Sequence, residues 1–169
     1  LAASWSSGIN KKAILSSILK FKTLLHRQEV ILEKKGITFI NDSKATNIDS
    51  AVKALENYKN IFWIAGGQSK NENFRKMIPF LKNVKHAFFL GETSNQLHTL
   101  LGKHLESIES DNLEKATTQA YNMAQEFLKD NKEKQASVLL SPACASLDQW
   151  KDFEERGNAF KKTVKELTK

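Results

Sequence analysis

The chain has 169 residues, 40% hydrophobic and 27% charged, enough to fill one core and solvate one domain of ordinary size. Its 26 Lys and Arg against 19 Asp and Glu leave a formal charge of +7, which raises an anionic ligand or a nucleic acid as partner. The charge is scattered, however. The pairs Lys11-Lys12, Lys34-Lys35 and Lys161-Lys162 lie far apart, and no basic stripe carries interleaved aromatics, so a nucleic-acid face is not expected. A single cysteine, Cys144, excludes an internal disulfide and a cysteine-held zinc and points to a cytoplasmic chain. No run reaches the roughly 18 apolar residues of a membrane span, so no membrane partner is expected. The opening LAASWSSGINKK has no initiator Met and none of the regions of a signal peptide, and it reads as a segment of a longer protein.

In chain order, Asn10 is a cap for an amphipathic helix over residues 10 to about 24, with Ala13, Ile14, Ile18, Leu19 and Phe21 at helical spacing. The period then changes. Val30 and Leu32 alternate with polar residues, Lys34-Lys35-Gly36 makes a turn, and Ile37-Thr38-Phe39-Ile40 completes a β-hairpin. A boundary at residues 24 to 28 makes 1–25 the tail of a preceding domain and 26–169 the domain proper. Strands follow at 61–65, 87–90, 107–109 and 138–140. Between and after them lie helical patterns marked by Val52 and Leu55, by Phe74, Met77, Ile78 and Leu81, by Leu97, Leu100 and Leu101, by Ala116, Ala120, Met123, Ala124 and Phe127, and by Phe160, Val164 and Leu167. Strands alternating with helices predict an α/β fold: a Rossmann-like, mostly parallel sheet with helices on both faces and an N-terminal β-hairpin. The continuous apolar strands agree, since a strand covered on both faces has no polar side.

Ligands of such sheets bind outside the carboxyl ends of the strands. Three polar loops lie at such ends: Asn41-Asp42-Ser43-Lys44-Ala45-Thr46-Asn47, Gly66-Gly67-Gln68-Ser69-Lys70, and Ser141-Pro142-Ala143-Cys144-Ala145-Ser146. Each has a plain structural explanation. Asp42 or Asn47 caps the next helix, the glycine pair is a tight turn and no P-loop, and Cys144 is a small buried residue without a nearby His to activate it. Together they differ, because Lys44, Lys70, Thr46 and Ser146 bring two ammonium groups and two hydroxyls to one sheet edge. That chemistry suits a dicarboxylate or a phosphate.

HRQE followed by GITFINDSKATN, then AGGQSK, then LLSPACASLDQWKDFEERGNAF, resembles the C-terminal domain of the Mur ligase family, from about residue 12 to 165. The resemblance implies ATP-driven addition of D-glutamate to UDP-N-acetylmuramoyl-L-alanine in peptidoglycan synthesis. It implies that Arg27 reaches the nucleotide phosphates, Asp42 meets the ribose of ATP, and Lys44 lies at the reacting end. Thr46, Lys70, Ser146, Leu147 and Phe153 are similar to residues that hold D-glutamate. ATP and Mg²⁺ serve the full-length enzyme, whose phosphate loop, metal ligands and UDP-sugar domain are expected outside this chain, so the fragment alone is expected to be inactive. Residues 1–25 then belong to the central ATPase domain, and the partners are the missing N-terminal and central domains. Two positions depart from the family pattern: Trp150 stands where Phe or another apolar residue is expected, and Gln68-Ser69 where an acidic residue and Gly are commoner. The alternative is a stand-alone α/β module that binds a small anion or nucleotide without catalysis.

Overall fold

The computed structural model describes residues 2–20, 24–70, 72–130, 132 and 135–169. Two helices come first, α1 (Ala2–Ser6) and α2 (Lys11–Lys20). Asn10 caps α2 as expected, its Oδ1 accepting from the Lys12 N–H at 2.8 Å, while Phe21 and the expected end of this helix lie outside the described residues. The hairpin is β1 (Glu29–Lys34) and β2 (Ile37–Asn41). Lys35 and Gly36 both have positive φ, 51° and 79°, the backbone that a two-residue hairpin turn requires.

The body then runs α3 (Ile48–Asn57), β3 (Ile61–Gly66), a 3-10 helix (Phe74–Asn83), β4 (Val84–Leu90), α4 (Ser94–Leu101), β5 (Ser107–Glu109), α5 (Leu113–Asp130), β6 (Ala136–Leu140) and α6 (Phe153–Leu167). The segment expected to be helical around Phe74 and Leu81 is thus 3-10 rather than α. Pro79 in its middle has no N–H to donate and crowds the carbonyl four residues back, which is the α-helical acceptor.

Among the described residues six strands form one sheet in the order β1-β2-β6-β3-β4-β5, antiparallel at β1-β2 and parallel elsewhere. The strand faces explain the two cores. Ile61, Trp63 and Ala65 pack with α3, the 3-10 helix and α4, and Phe62 and Ile64 pack with α5 and α6 on the opposite face. Val84 and Ala87 face the same side although three residues apart, because the β3-β4 register slips by one there.

The strand order positions the site. Strand β6 inserts between β2 and β3, so the loops leaving the carboxyl ends of β2, β6 and β3 become neighbours. The Asp42 N–H donates to Leu140 O at 2.7 Å and the Gly66 N–H to Pro142 O at 2.9 Å. Trp63, fully buried, donates its indole N–H to Ser141 O at 2.8 Å, tying the core to the loop after β6.

Candidate functional site

The first loop is folded by its own side chains. Asn47 is the α3 cap, its Oδ1 accepting from the Ser50 N–H at 2.9 Å. Asp42 caps nothing. It is buried, and its two oxygens accept from the Gln28 N–H at 3.1 Å and the Ser141 hydroxyl at 2.8 Å. Burial pushes its carboxyl up to about 6, against the two hydrogen bonds and the Arg27 charge that favour ionisation. Asn41, wholly buried, accepts from the Ser43 N–H with Oδ1, and its amide nitrogen lies 2.9 Å from His26 Nδ1.

Arg27, Gln28, Asp42, Lys44, Ala45, Asp49, Ser50 and Lys53 line one cavity of about 340 Å³. The structure therefore brings together three of the sequence-proposed residues, Arg27, Asp42 and Lys44. Lys44 also faces a fourth: its Nζ stands 4.5 Å from the centre of the Phe153 ring, a cation–π contact. Thr46, Lys70, Ser146 and Leu147 do not line this cavity. The loops of Lys70 and Ser146 are nonetheless joined, since Gln68 and Ala145 exchange two backbone hydrogen bonds of 2.9 and 3.0 Å. Ser146 is buried, Lys70 exposed and Leu147 63% exposed, and Lys70 has no hydrogen bond or ion pair among the described residues. Cys144 is buried, and burial pushes its thiol up to about 11, which leaves a protonated small side chain rather than a nucleophile.

The family model described as Mur ligase, glutamate ligase domain, matches residues 26–144. The chain belongs to the Mur ligase family. It is 39% identical over 153 residues to a Wolbachia pipientis wMel protein named "UDP-N-acetylmuramoylalanine--D-glutamate ligase", covering 90% of this chain and 29% of that one. Relatives of the same name from Rhizobium meliloti (39% over 160 residues, 95% of this chain and 34% of that one) and Caulobacter vibrioides (38% over 167 residues, 99% and 34%) agree. The chain spans about a third of the length of these relatives. Among solved structures, Mycobacterium tuberculosis folylpolyglutamate synthase complexed with ADP superposes with a TM-score of 0.55 at 14% identity, over 83% of this chain and 32% of that one, and shares the fold.

This Mur ligase domain holds a residue that the sequence reading passed over. Arg156 of α6 is 1% exposed. Its guanidinium donates to Ser43 Oγ (3.0 Å), Ser43 O (2.9 Å), Cys144 O (3.2 Å) and Ala145 O (3.4 Å), while Ser43 Oγ donates to Phe153 O at 2.7 Å. One side chain thus fastens the loops after β2 and β6 to α6. The signal was its spacing: Phe153, Arg156, Phe160 and Val164 fall on one helical face, so the charge sits in an apolar stripe.

Gly157 beside it allows close packing. A Cβ there would stand 2.2 Å from His26 Nδ1 and 3.1 Å from the Asn41 amide nitrogen. Both neighbours are buried. Gly157→Ala, which in an open helix gains roughly 1 kcal/mol, is expected here to destabilise by about 1–3 kcal/mol through overpacking. Urea unfolding of the chain measures it, and a gain in stability would show that His26 moves aside freely.

Proposed function

We propose that this chain is the C-terminal domain of a cytoplasmic, ATP-dependent ligase that joins D-glutamate to UDP-N-acetylmuramoyl-L-alanine in peptidoglycan synthesis. The observation that carries this reading is the place of Lys44, one cation shared between the cavity of Arg27 and Asp42 and the Phe153 ring of the third loop's helix. Relatives bearing the ligase name at 38–39% identity support it, and the fold neighbour is a synthase complexed with ADP. A stand-alone binding module is not favoured, because the named relatives are ligases of about three times this length.

In this reading Arg27 meets the nucleotide phosphates, Asp42 the ribose, and Lys44 the reacting end. Thr46, Lys70, Ser146, Leu147 and Phe153 hold D-glutamate, whose two carboxylates suit the ammonium of Lys70 and the hydroxyls of Thr46 and Ser146. The γ-phosphoryl group passes to the muramoyl-alanine carboxylate, the D-glutamate amine attacks that acyl phosphate, and phosphate leaves. The domain contributes position and charge: Lys44 stabilises the anionic transfer and the loops align the amine. Among the described residues no three His, Cys, Asp or Glu side chains cluster to hold a metal ion. Residues 1–25, with Trp5, Leu15, Ile18 and Leu19 exposed, are the tail of the preceding ATPase domain, and the remaining length of the relatives supplies the other two domains as partners.

Lys70 tests the amino-acid half. In the full-length enzyme Lys70→Ala is expected to raise the KM for D-glutamate about tenfold or more, because charge-assisted hydrogen bonds contribute roughly 1.5–3 kcal/mol each. The KM for ATP should change little. An unaltered D-glutamate KM removes Lys70 from the site.

A further inference from the structure

The backbone around Arg27 is held in an unusual shape. His26 and Gln28, its two neighbours, have φ of 61° and 44°, the left-handed region that residues with a Cβ adopt rarely and only when their surroundings impose it. Four contacts impose it. The His26 N–H donates to Glu29 Oε2 at 2.9 Å, the His26 carbonyl accepts from the Lys44 N–H at 2.9 Å, Asn41 meets the His26 ring at 2.9 Å, and the Gln28 N–H donates to Asp42 at 3.1 Å. Arg27 itself is exposed and turned to the cavity, so its direction is set by what clamps its neighbours.

Lys44, Asn41 and Asp42 belong to the first site loop, but Glu29 does not. Its carboxylate is mostly buried, and its second oxygen meets Lys161 Nζ of α6 at 2.7 Å, the two side chains being 19% and 21% exposed. Burial alone would raise the Glu29 carboxyl. The Lys161 hydrogen bond and the His26 N–H outweigh it and leave the group below its ordinary value. Without Lys161 the carboxylate would be a poorly solvated, unpaired charge, and swinging out to water would release the His26 N–H. The backbone could then relax out of the left-handed region.

We propose that Lys161 is a positioning residue for the nucleotide end of the site: acting through Glu29, it holds His26-Arg27-Gln28 in the left-handed turn that aims the Arg27 guanidinium into the cavity. The proposal rests on the reading that Arg27 binds nucleotide phosphates. It assigns a role at the ATP subsite to a residue on the far helix, outside every loop of the site.

The test uses the full-length ligase with Lys161→Met, which keeps the aliphatic stem, Lys161→Arg, Arg27→Ala, and the double variant of Lys161→Met with Arg27→Ala. Lys161→Met is expected to raise the ATP KM about fivefold or more while leaving the D-glutamate KM within about twofold, and Lys161→Arg to restore it. In the Arg27→Ala background Lys161→Met should add nothing, since the residue it positions is gone. An ATP KM raised by Arg27→Ala but not by Lys161→Met overturns the positioning role and spares the site reading. So does an equal effect of Lys161→Met in both backgrounds. No effect of Arg27→Ala alone overturns the nucleotide reading and the proposal with it. Lys161→Gln, which keeps a donor to Glu29 without the charge, covers the case in which Lys161→Met does not fold: an ATP KM above that of wild type is expected, and an ATP KM equal to wild type overturns the positioning role.

Discussion

Arg156→Met is expected to lower the stability of this chain by about 3–5 kcal/mol, although the two side chains have similar volume and the helix propensity barely changes. The guanidinium makes four hydrogen bonds, three of them to main-chain carbonyls of the loops after β2 and β6. Methionine leaves the buried Ser43 and Cys144 carbonyls without donors, while Ala145 O keeps only the Gln68 N–H. Burial pushes the arginine down to about 10, below its ordinary value, so it stays charged at neutral pH with carbonyls in place of a counter-ion. Lysine is no substitute, because one ammonium cannot span acceptors arranged around a planar fork. The thermal midpoint should fall by about 10 °C or more for a domain of this size. A midpoint within about 2 °C of wild type would show that the loops close without the guanidinium.

The same residue shows where sequence reading stops. The βαβ alternation was legible because β3, β4 and β6 are covered on both faces and read as unbroken apolar runs, and the hairpin was legible because Lys35-Gly36 supplies its turn. Strand order was not, because nothing local to Ala136–Leu140 says that β6 lies between β2 and β3. That placement alone turns three separate loops into one edge. Residue types at the loops grouped Lys44, Lys70, Thr46 and Ser146, of which the cavity takes only Lys44, whereas Arg27 and Asp42, which line it beside Lys44, entered through the family resemblance. The scaffold behind them stayed hidden, since His26, Glu29, Asn41, Arg156 and Lys161 meet only through tertiary contacts. The apolar spacing of Phe74, Met77, Ile78 and Leu81 shows a helix but not its kind, which Pro79 decides.

Asp42 supplies the last expectation. Its place before α3 allows a helix cap and the family resemblance implies a ribose contact, and Asn47 performs the cap. Asp42 is buried with its carboxyl raised from 3.8 to about 6. A raised acid binds its proton more tightly in the folded state than in the unfolded one, so its contribution to stability is favourable at low pH and is lost as pH rises from about 4 through 6. Above that window the ionised group costs the fold roughly 3 kcal/mol relative to an unshifted carboxylate. Asp42→Asn removes the charge, keeps an oxygen for the Gln28 N–H, and turns an amide to the Ser141 hydroxyl, which can accept as well as donate. The variant is therefore expected to melt several degrees higher than wild type at pH 7.5 and level with it below about pH 4. In the full-length enzyme its ATP KM should rise, because the cavity loses the carboxylate proposed to accept from a ribose hydroxyl. Stabilisation joined to weaker nucleotide use is the signature of a charge kept in place for its ligand. A lower melting temperature at pH 7.5 with an unchanged ATP KM would make Asp42 a structural tie between Gln28 and Ser141, and would leave the nucleotide to Arg27 and Lys44.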